Sequence, residues 1–257
     1  MRVGFIGAGR MGAPMVARLV GAGHDVRALG RSAEARAAVA ETGAAPVATA
    51  AEAIGGADAV VLCVFTDDQV REICSTETFG DATVIVHTTG SPETVGAVAD
   101  RGIRVVDAPV SGGPHDIARG TLTVFLGGAD SDVTVAREVL RAYADPILHV
   151  GGLGSGQRVK LVNNALFAAQ IGLVADAVRF GAELGLPEDA LLAALPHASG
   201  NSRALAGIAA KGSVAEFRSS VGEFLRKDVT VARSLADALG ADLGILTAPI
   251  ETGVARP

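Results

Sequence analysis

The chain has 257 residues, of which 49% are hydrophobic and 19% are charged, and its formal net charge is -6. This hydrophobic content excludes an intrinsically disordered chain, and a length near the point where single cores divide predicts two domains. The negative charge argues against nucleic acid as the main partner, because binding to phosphates requires an excess of lysine and arginine. A protein that acts on small molecules fits these values better.

The sequence begins directly with a strand pattern, without the basic and apolar segments of a signal peptide. No apolar run approaches the roughly 18 residues that a membrane span needs. Cys63 and Cys74 lack the spacing of metal ligands, so we expect no metal site and two structural thiols in a reducing compartment. These features predict a cytoplasmic protein.

Short β-rich runs alternate with alanine-rich helical stretches through the first part of the chain. This alternation is typical of βαβ units and a doubly wound, mostly parallel sheet. The predicted strands cover residues 2–6, 25–29, 59–65, 83–87, 104–106 and 121–126. We therefore expect a Rossmann-type domain over residues 1–153.

A GxGxxG motif follows the first predicted strand and opens a helical pattern. Its residues are Gly7, Ala8, Gly9, Arg10, Met11 and Gly12. Such glycines permit a tight turn and a close approach of the pyrophosphate to the main chain, and the N-terminus of the helix offers N–H groups to phosphate. In a first βαβ unit, the motif predicts dinucleotide binding.

The end of the second predicted strand bears on the choice of cofactor. An acidic residue normally stands there in NAD sites, where it binds the ribose 2′-hydroxyl. Here Arg31 and Ser32 follow the strand, and both can bind the 2′-phosphate of NADP, with Arg36 as a further candidate. NADP is therefore favoured, and the alternative is an Arg31 that stacks on adenine in an enzyme that uses NAD.

Residues 107–113 follow the fifth predicted strand and are too polar and glycine-rich for the interior of a sheet. Main-chain N–H groups at Gly112 and Gly113, beside the hydroxyl of Ser111, can hold a carboxylate. An ordinary loop explains the pattern equally well from the residues alone.

The pattern changes after a glycine-rich segment at residues 151–154. Residues 157–184 form one predicted helix about 40 Å long, which Gly185 and Pro187 end. Further helices are predicted at residues 187–195, 202–211 and 221–239, so residues 154–257 form an all-helical second domain joined to the first by this long interdomain helix. Lys160 and Asn164 are four residues apart and lie on the same face of the helix.

In combination and order, the motifs resemble those of the β-hydroxyacid dehydrogenase family, typified by 3-hydroxyisobutyrate dehydrogenase. The resemblance extends over essentially the whole chain. Its segments are GFIGAGRMGAPMVARLV at 4–20, HTTGSPET at 87–94, DAPVSGGPHDIARGTLTVFLGG at 107–128, GSGQRVKLVNN at 154–164 and RKD at 226–228.

The resemblance implies an oxidoreductase that transfers a hydride between NAD(P) and a small 3-hydroxy acid or semialdehyde acid, with Lys160 as the general acid/base. It also implies a homodimer or a higher homo-oligomer. The other implied roles are substrate holding by Asn164, carboxylate binding by Ser111, Gly112 and Gly113, and cofactor contact by Phe65, Thr66, Thr89 and Lys227, with Asp228 beside Lys227.

The chain departs from the family pattern in two places. Residues 114–117 replace the small Gly-Ala pair that commonly follows the SGG sequence, so the identity of the substrate acid stays open. Within this segment, His115 is either a specificity residue or a solvent-facing loop residue. Family members usually continue through further C-terminal helices, so the second domain looks shortened. The alternative functions are an imine reductase, which generally lacks the lysine, and a catalytically silent cofactor-binding scaffold.

Overall fold

The computed structural model describes residues 1–255, and these fall into two compact units. The first unit is Met1–Lys160 and the second begins at Leu161. The first is a sheet flanked by helices and the second is helical, as the sequence predicts.

A single sheet forms the centre of the first unit. Its strands are β1 (Arg2–Ile6), β2 (Asp25–Leu29), β3 (Ala45–Val47), β4 (Ala59–Leu62), β5 (Thr83–Val86), β6 (Val105–Asp107), β7 (Val110–Ser111), β8 (Leu122–Gly127) and β9 (Ala144–Gly151). They lie in the order β3-β2-β1-β4-β5-β6-β8-β7, and β9 pairs with β8. The six strands from β3 to β6 are parallel to their neighbours, whereas β8 is antiparallel to β6 and β7.

Helices cover both faces of this sheet. They are α1 (Gly12–Gly21), α2 (Ala33–Glu41), α3 (Ala50–Ile54), α4 (Asp67–Thr76), α5 (Pro92–Ala99), α6 (Pro114–Arg119) and α7 (Asp130–Leu140). The next helix in the chain, α8 (Ser155–Glu183), begins in the first unit and continues into the second. Strand β4 shows the two cores, because Val61 packs in the cluster of α1, α6 and α7 and Val60 packs in that of α3, α4 and α5. Burial on both faces explains why the strands read as continuous apolar runs.

The order in which successive strands join the sheet reverses at β1. The chain moves from β1 to β2 and β3 on one side, and then crosses to β4, β5 and β6 on the other. Ligands of doubly wound sheets bind outside the carboxyl ends of the strands at such a switch point. The loops after β1, β4, β5 and β6 therefore define where a site is expected.

The second unit contains most of α8 and the helices α9 (Glu188–Ala194), α10 (Arg203–Lys211), α11 (Val214–Leu239) and α12 (Thr247–Val254). Its core is apolar and includes Ile171, Phe217 and Ile250. Gly172 and Gly253 allow α8 and α12 to touch, because a Cβ on either residue would overlap the main chain of the other helix.

Several elements differ from the sequence predictions. Strands β3 and β9 escape prediction because their residues are mostly exposed and lack an apolar run. Helix α11 starts at Val214, before the predicted 221, and the Ser213 hydroxyl caps it by accepting the Glu216 N–H. The predicted strand over 59–65 ends at Leu62, so Phe65 lies in the loop that follows.

The glycine-rich segment 107–113 belongs partly to the sheet, which corrects the interpretation of the whole segment as too polar for a strand. Val110 and Ser111 form the two-residue strand β7, whose partner β8 supplies its hydrogen bonds. Residues 114–117, expected in a loop, begin the helix α6, and Asp116 stabilises its start by accepting the Gly113 N–H at 2.8 Å.

Within residues 1–255, α8 alone is long and apolar enough to span a membrane by length and composition. The core helix of a soluble protein meets the same criterion, and α8 contributes Ala168, Ala169 and Ile171 to the core of the second unit.

Candidate active site

The glycine-rich turn after β1 has the shape that a dinucleotide requires. Gly7 has φ +107°, and a Cβ there would overlap the Cys63 carbonyl. A Cβ on Gly12 would overlap the Gly7 carbonyl and approach the Phe5 ring at 2.8 Å. At Gly9, in contrast, no heavy atom lies within 4 Å of the position of a Cβ. Two glycines are thus needed for packing, and the third leaves the main chain open to a phosphate.

The N-terminus of α1 supports the same interpretation. Its N-cap residue Met11 makes no side-chain hydrogen bond to the helix, and the first turn contains no acidic residue. The next four helices are capped by side-chain oxygens of Ser32, Thr49, Thr66 and Ser91. A pyrophosphate fits where α1 lacks such an acceptor, because N-terminal N–H groups and the helix dipole attract anions.

The segment after β2 contains one acidic residue, Glu34, that the sequence analysis missed. Ser32 caps α2 by accepting the Ala35 N–H at 3.1 Å, and Arg31 is exposed beside it. Hydrogen bonds from its own main-chain N–H and from the Ser32 hydroxyl lower the pKa of Glu34. An acid is therefore present near this site, five residues beyond the strand rather than directly at its end.

The loop after β4 is held by Gln69. Its Oε1 accepts the N–H groups of Phe65 at 2.8 Å and Thr66 at 3.1 Å, while the Thr66 hydroxyl accepts the Gln69 N–H. The side chain of Phe65 is 47% exposed. This exposed aromatic ring therefore lies on a loop at the switch point, where the family resemblance implies contact with the cofactor.

The loop after β5, which contains Thr89, is fastened to the loop after β4. The Thr88 hydroxyl donates to the Val64 carbonyl at 2.9 Å, and the Ser91 N–H donates to Asp67 Oδ2 at 3.0 Å. These two bonds fix the relative positions of the segments that carry Phe65, Thr66 and Thr89.

Gln157, in the first turn of α8, binds the same loop from the other side. Its Nε2 donates to the Thr88 carbonyl at 2.8 Å, and its Oε1 accepts the Gly90 N–H at 3.0 Å. The main chain is thus held immediately before and after Thr89. Lys160 is half-buried and lies three residues further along α8, so it shares the face of the helix that carries Gln157.

Asp107 fixes the start of α8. It ends β6, is fully buried, and accepts the N–H groups of Gly154 at 2.6 Å and Gln157 at 2.7 Å. Burial raises the pKa of this carboxyl, and main-chain N–H donors lower it in part. A Cβ on Gly156 would come within 2.8 Å of Asp107 Oδ2, so the backbone of the helix packs directly on the carboxylate.

The segment expected to bind the substrate carboxylate starts immediately after Asp107. Gly112 has φ +130°, and Ser111 is half-buried. The Gly113 N–H already donates to Asp116, which leaves Ser111 and Gly112 as the better candidates for a bound anion. The side chain of His115 is 72% exposed, with Nε2 3.2 Å from Asp116 Oδ2.

The second unit contains the other predicted residues. Asn164 is buried, donates from Nδ2 to Asp228 Oδ2 at 2.6 Å, and accepts from Asn163 Nδ2 at 2.9 Å. Lys227 Nζ lies 2.8 Å from Asp228 Oδ1. The buried Asp228 carboxylate therefore links the two residues for which the family resemblance implies roles.

Several of the predicted site residues lie in two groups, one in each unit. The first unit brings together the loops with Phe65, Thr66 and Thr89 and the start of α8, and the second unit brings together Asn164 and Lys227. The sequence analysis assigned no role to Asp67 or Gln157, although Gln157 lies within a quoted motif. Nothing in one sequence distinguishes a buried glutamine from an exposed one.

Comparisons with known proteins agree with this geometry. A family model described as the NAD binding domain of 6-phosphogluconate dehydrogenase matches residues 2–152. A second, described as NAD-binding of NADP-dependent 3-hydroxyisobutyrate dehydrogenase, matches residues 154–251. A probable 3-hydroxyisobutyrate dehydrogenase of Mycobacterium bovis is 36% identical over 207 residues, which cover 77% of this chain and 70% of the relative.

Several solved structures share the fold, and two of them are relevant to function. The 3-hydroxyisobutyrate dehydrogenase of Mycobacterium tuberculosis with L-serine is 30% identical, with a TM-score of 0.84 over 97% of this chain and 91% of that one. An imine reductase from a Pseudomonas species is 20% identical, with a TM-score of 0.70 over 97% of this chain and 99% of its own. The second likeness concerns the fold alone, whereas the matches over both halves show that this chain belongs to the β-hydroxyacid dehydrogenase family and is an NAD(P)-dependent hydroxyacid oxidoreductase.

Proposed function

We propose that the chain interconverts a small 3-hydroxy acid and its semialdehyde with Lys160 as the general acid/base. The observation that carries this proposal is the attachment of the first turns of α8 to the Thr89 loop. Gln157 bonds to the main chain on both sides of Thr89, and Lys160 lies on the same helix face one turn later. This spacing supports a position for the lysine on the side of α8 that faces the expected nicotinamide loop.

The proposed reaction assigns a separate role to the cofactor and to each group of side chains. The nicotinamide cofactor, when bound, accepts or supplies the hydride at its C4 atom. In oxidation, the Lys160 amine removes the proton of the substrate hydroxyl, and in reduction its ammonium form returns it. Ser111 and Gly112 hold the carboxylate, and this fixes the position of the carbinol carbon. Phe65, Thr66 and Thr89 cover the cofactor and exclude water.

For the cofactor, the fit favours NADP. Arg31 is exposed beside the N-cap of α2, where a guanidinium binds a 2′-phosphate through charge-assisted hydrogen bonds. Glu34 opposes this preference, because its carboxylate bonds to the Ser32 hydroxyl. We assign the larger effect to Arg31, whose five donors match a phosphate.

The test of the proposed function is the variant Lys160→Ala, with Lys211→Ala as a matched control that removes a lysine at the end of α10. General acid/base catalysis contributes about 10²- to 10⁴-fold. We expect Lys160→Ala to lower kcat by this factor with 3-hydroxyisobutyrate and NADP⁺, while the Kd for NADPH, measured by its fluorescence, stays close to that of the unmodified protein. Retention of wild-type turnover would exclude Lys160 as the acid/base.

We expect the substrate to be a small acid with a 3-hydroxyl group. The Mycobacterium tuberculosis relative was solved with L-serine, which carries a carboxylate and a hydroxyl in this arrangement. Screening 3-hydroxyisobutyrate, 3-hydroxypropionate, L-serine and cyclic imines with NADP and NAD distinguishes a hydroxyacid dehydrogenase from an imine reductase. Absence of turnover with every compound would favour a silent cofactor-binding protein.

We also propose a cytoplasmic homo-oligomer with functional domains at 1–153 and 154–257. The two family models meet between residues 152 and 154, which supports this division.

The assembly is supported by an exposed apolar stripe on α8, which is typical of an interface. Its residues lie on one face of the helix and are Val162, Leu166, Leu173 and Phe180. Sedimentation velocity tests the assembly, which a monomer at all concentrations would exclude.

A further inference from the structure

Gln157 is a buried polar side chain outside the roles proposed above. It is 1% exposed. Burying an amide costs free energy unless its polar atoms are hydrogen-bonded, and both side-chain atoms of Gln157 are bonded to the main chain. The two partners are the Thr88 carbonyl and the Gly90 N–H, which flank Thr89.

The backbone of Gln157 is fixed as well. Its N–H donates to Asp107 Oδ2 at 2.7 Å, and the Gly154 N–H donates to Asp107 Oδ1 at 2.6 Å. A carboxylate at the N-terminus of a helix is favoured by the helix dipole and by the free N–H groups of the first turn. The first turn of α8 is therefore anchored to the end of β6, two residues before Pro109 and four before Ser111.

We propose that Gln157 is a positioning residue for hydride transfer. It joins three segments: the Thr89 loop, the α8 turn that leads to Lys160, and, through Asp107, the strand end that leads to Ser111 and Gly112. The inference rests on the proposed roles of Thr89 and Lys160. Because a misplacement of about 1 Å can cost about 10²-fold in rate, loss of the Gln157 bonds lowers the catalytic rate more than it lowers cofactor binding.

The experiment compares Gln157→Glu and Gln157→Met with Gln170→Glu. Glutamate keeps an acceptor for the Gly90 N–H but replaces the donor to the Thr88 carbonyl with an oxygen, whereas methionine has a similar length and removes both bonds. Gln170→Glu adds the same charge to the same helix thirteen residues later. The measurements are kcat, normalised to the folded fraction, and KM with 3-hydroxyisobutyrate and NADP⁺. The Kd for NADPH and the thermal midpoint are measured on the same proteins.

We expect both Gln157 variants to lower kcat by about 10²-fold, with the Kd for NADPH changed by less than about threefold, because the phosphates bind at the α1 turn. The kinetic isotope effect on a substrate with deuterium at the carbinol carbon should rise, since hydride transfer becomes rate-limiting. Equal loss of kcat and of NADPH binding, or a kcat no lower than that of Gln170→Glu after normalisation, would overturn the inference.

The Lys160→Ala variant, assayed in parallel, separates this inference from the proposed function. If Lys160→Ala retains turnover while the Gln157 variants lose it, Lys160 is not the acid/base and Gln157 acts through the Thr89 loop. If Lys160→Ala loses turnover and the Gln157 variants retain it, the positioning inference fails and the role of Lys160 stands.

Discussion

His87 gives the sharpest prediction for the stability of the first unit. It follows β5, is buried, and uses both ring nitrogens: Nδ1 lies 2.6 Å from the Ala108 carbonyl and Nε2 lies 2.8 Å from the Tyr143 hydroxyl. Burial lowers the pKa of the ring and so favours its neutral form, in which Nδ1 donates to the Ala108 carbonyl and Nε2 accepts from the Tyr143 hydroxyl. Protonation would place a charge in an apolar core and remove the acceptor of the Tyr143 hydroxyl.

The magnitude follows from the pKa of this histidine. Burial lowers the pKa from 6.5 to about 4. A lowered pKa means that the unfolded chain binds the proton more readily than the folded one. The contribution of His87 to stability is therefore fully present above pH 6.5 and is lost as the pH falls toward 4. The full loss is about 3 kcal/mol, of which about 2 kcal/mol has occurred at about pH 5. That is a large share of the roughly 5–15 kcal/mol that stabilises a typical domain.

The assay uses the emission of Tyr143, since the chain contains one tyrosine and no tryptophan. Urea unfolding at about pH 7.5 and about pH 5 gives the stability difference for the unmodified protein, for His87→Asn, and for His115→Asn as an exposed control. We expect the difference to shrink by about 2 kcal/mol in His87→Asn alone. An equal pH dependence in all three proteins would refute the assignment of a neutral, buried His87.

Further predictions concern the cofactor. Arg31→Ala should lower kcat/KM for NADP by about tenfold or more with little effect on NAD, because a charge-assisted bond contributes about 1.5–3 kcal/mol. Glu34→Gln should raise kcat/KM for NADP. Unchanged ratios of kcat/KM for NADP and NAD in steady-state kinetics would contradict both. Gly9→Ala should weaken NADPH binding by about tenfold, or about 1.4 kcal/mol, without lowering the thermal midpoint. Gly7→Ala should lower the midpoint, because a Cβ has room at Gly9 but overlaps the main chain at Gly7.

The sequence predicts the central parallel strands well because local and tertiary preferences agree there. β1 and β2 match their predicted bounds, and β4 and β5 are buried at every residue, which produces apolar runs that stand out. Strand β7 has two residues and depends on its partner β8, so its own sequence predicts a loop. Helix α6 is likewise stabilised by Asp116, whose bond to the Gly113 N–H exists only once the turn has formed.

The site was predictable where a motif states its own geometry and unpredictable where distant segments meet. The glycine pattern after β1 fixes which residues lack room for a Cβ, and the structure agrees at Gly7 and Gly12. Gln157 and the Thr88 carbonyl are 69 residues apart in the chain. No periodicity connects such partners, because the contact follows from the order of strands in the sheet.

The contacts of α4 and α8 show how side chains from other segments hold the loops that carry the predicted site residues. Loops at the carboxyl ends of parallel strands have few hydrogen bonds of their own, so each depends on a side chain from another segment: Gln69 for Phe65 and Thr66, and Asp67 and Gln157 for the Thr89 loop. Each such partner is shared with a helix that starts at the site. If the loops contact the reactants as proposed, their positions are fixed by side chains at the starts of α4 and α8.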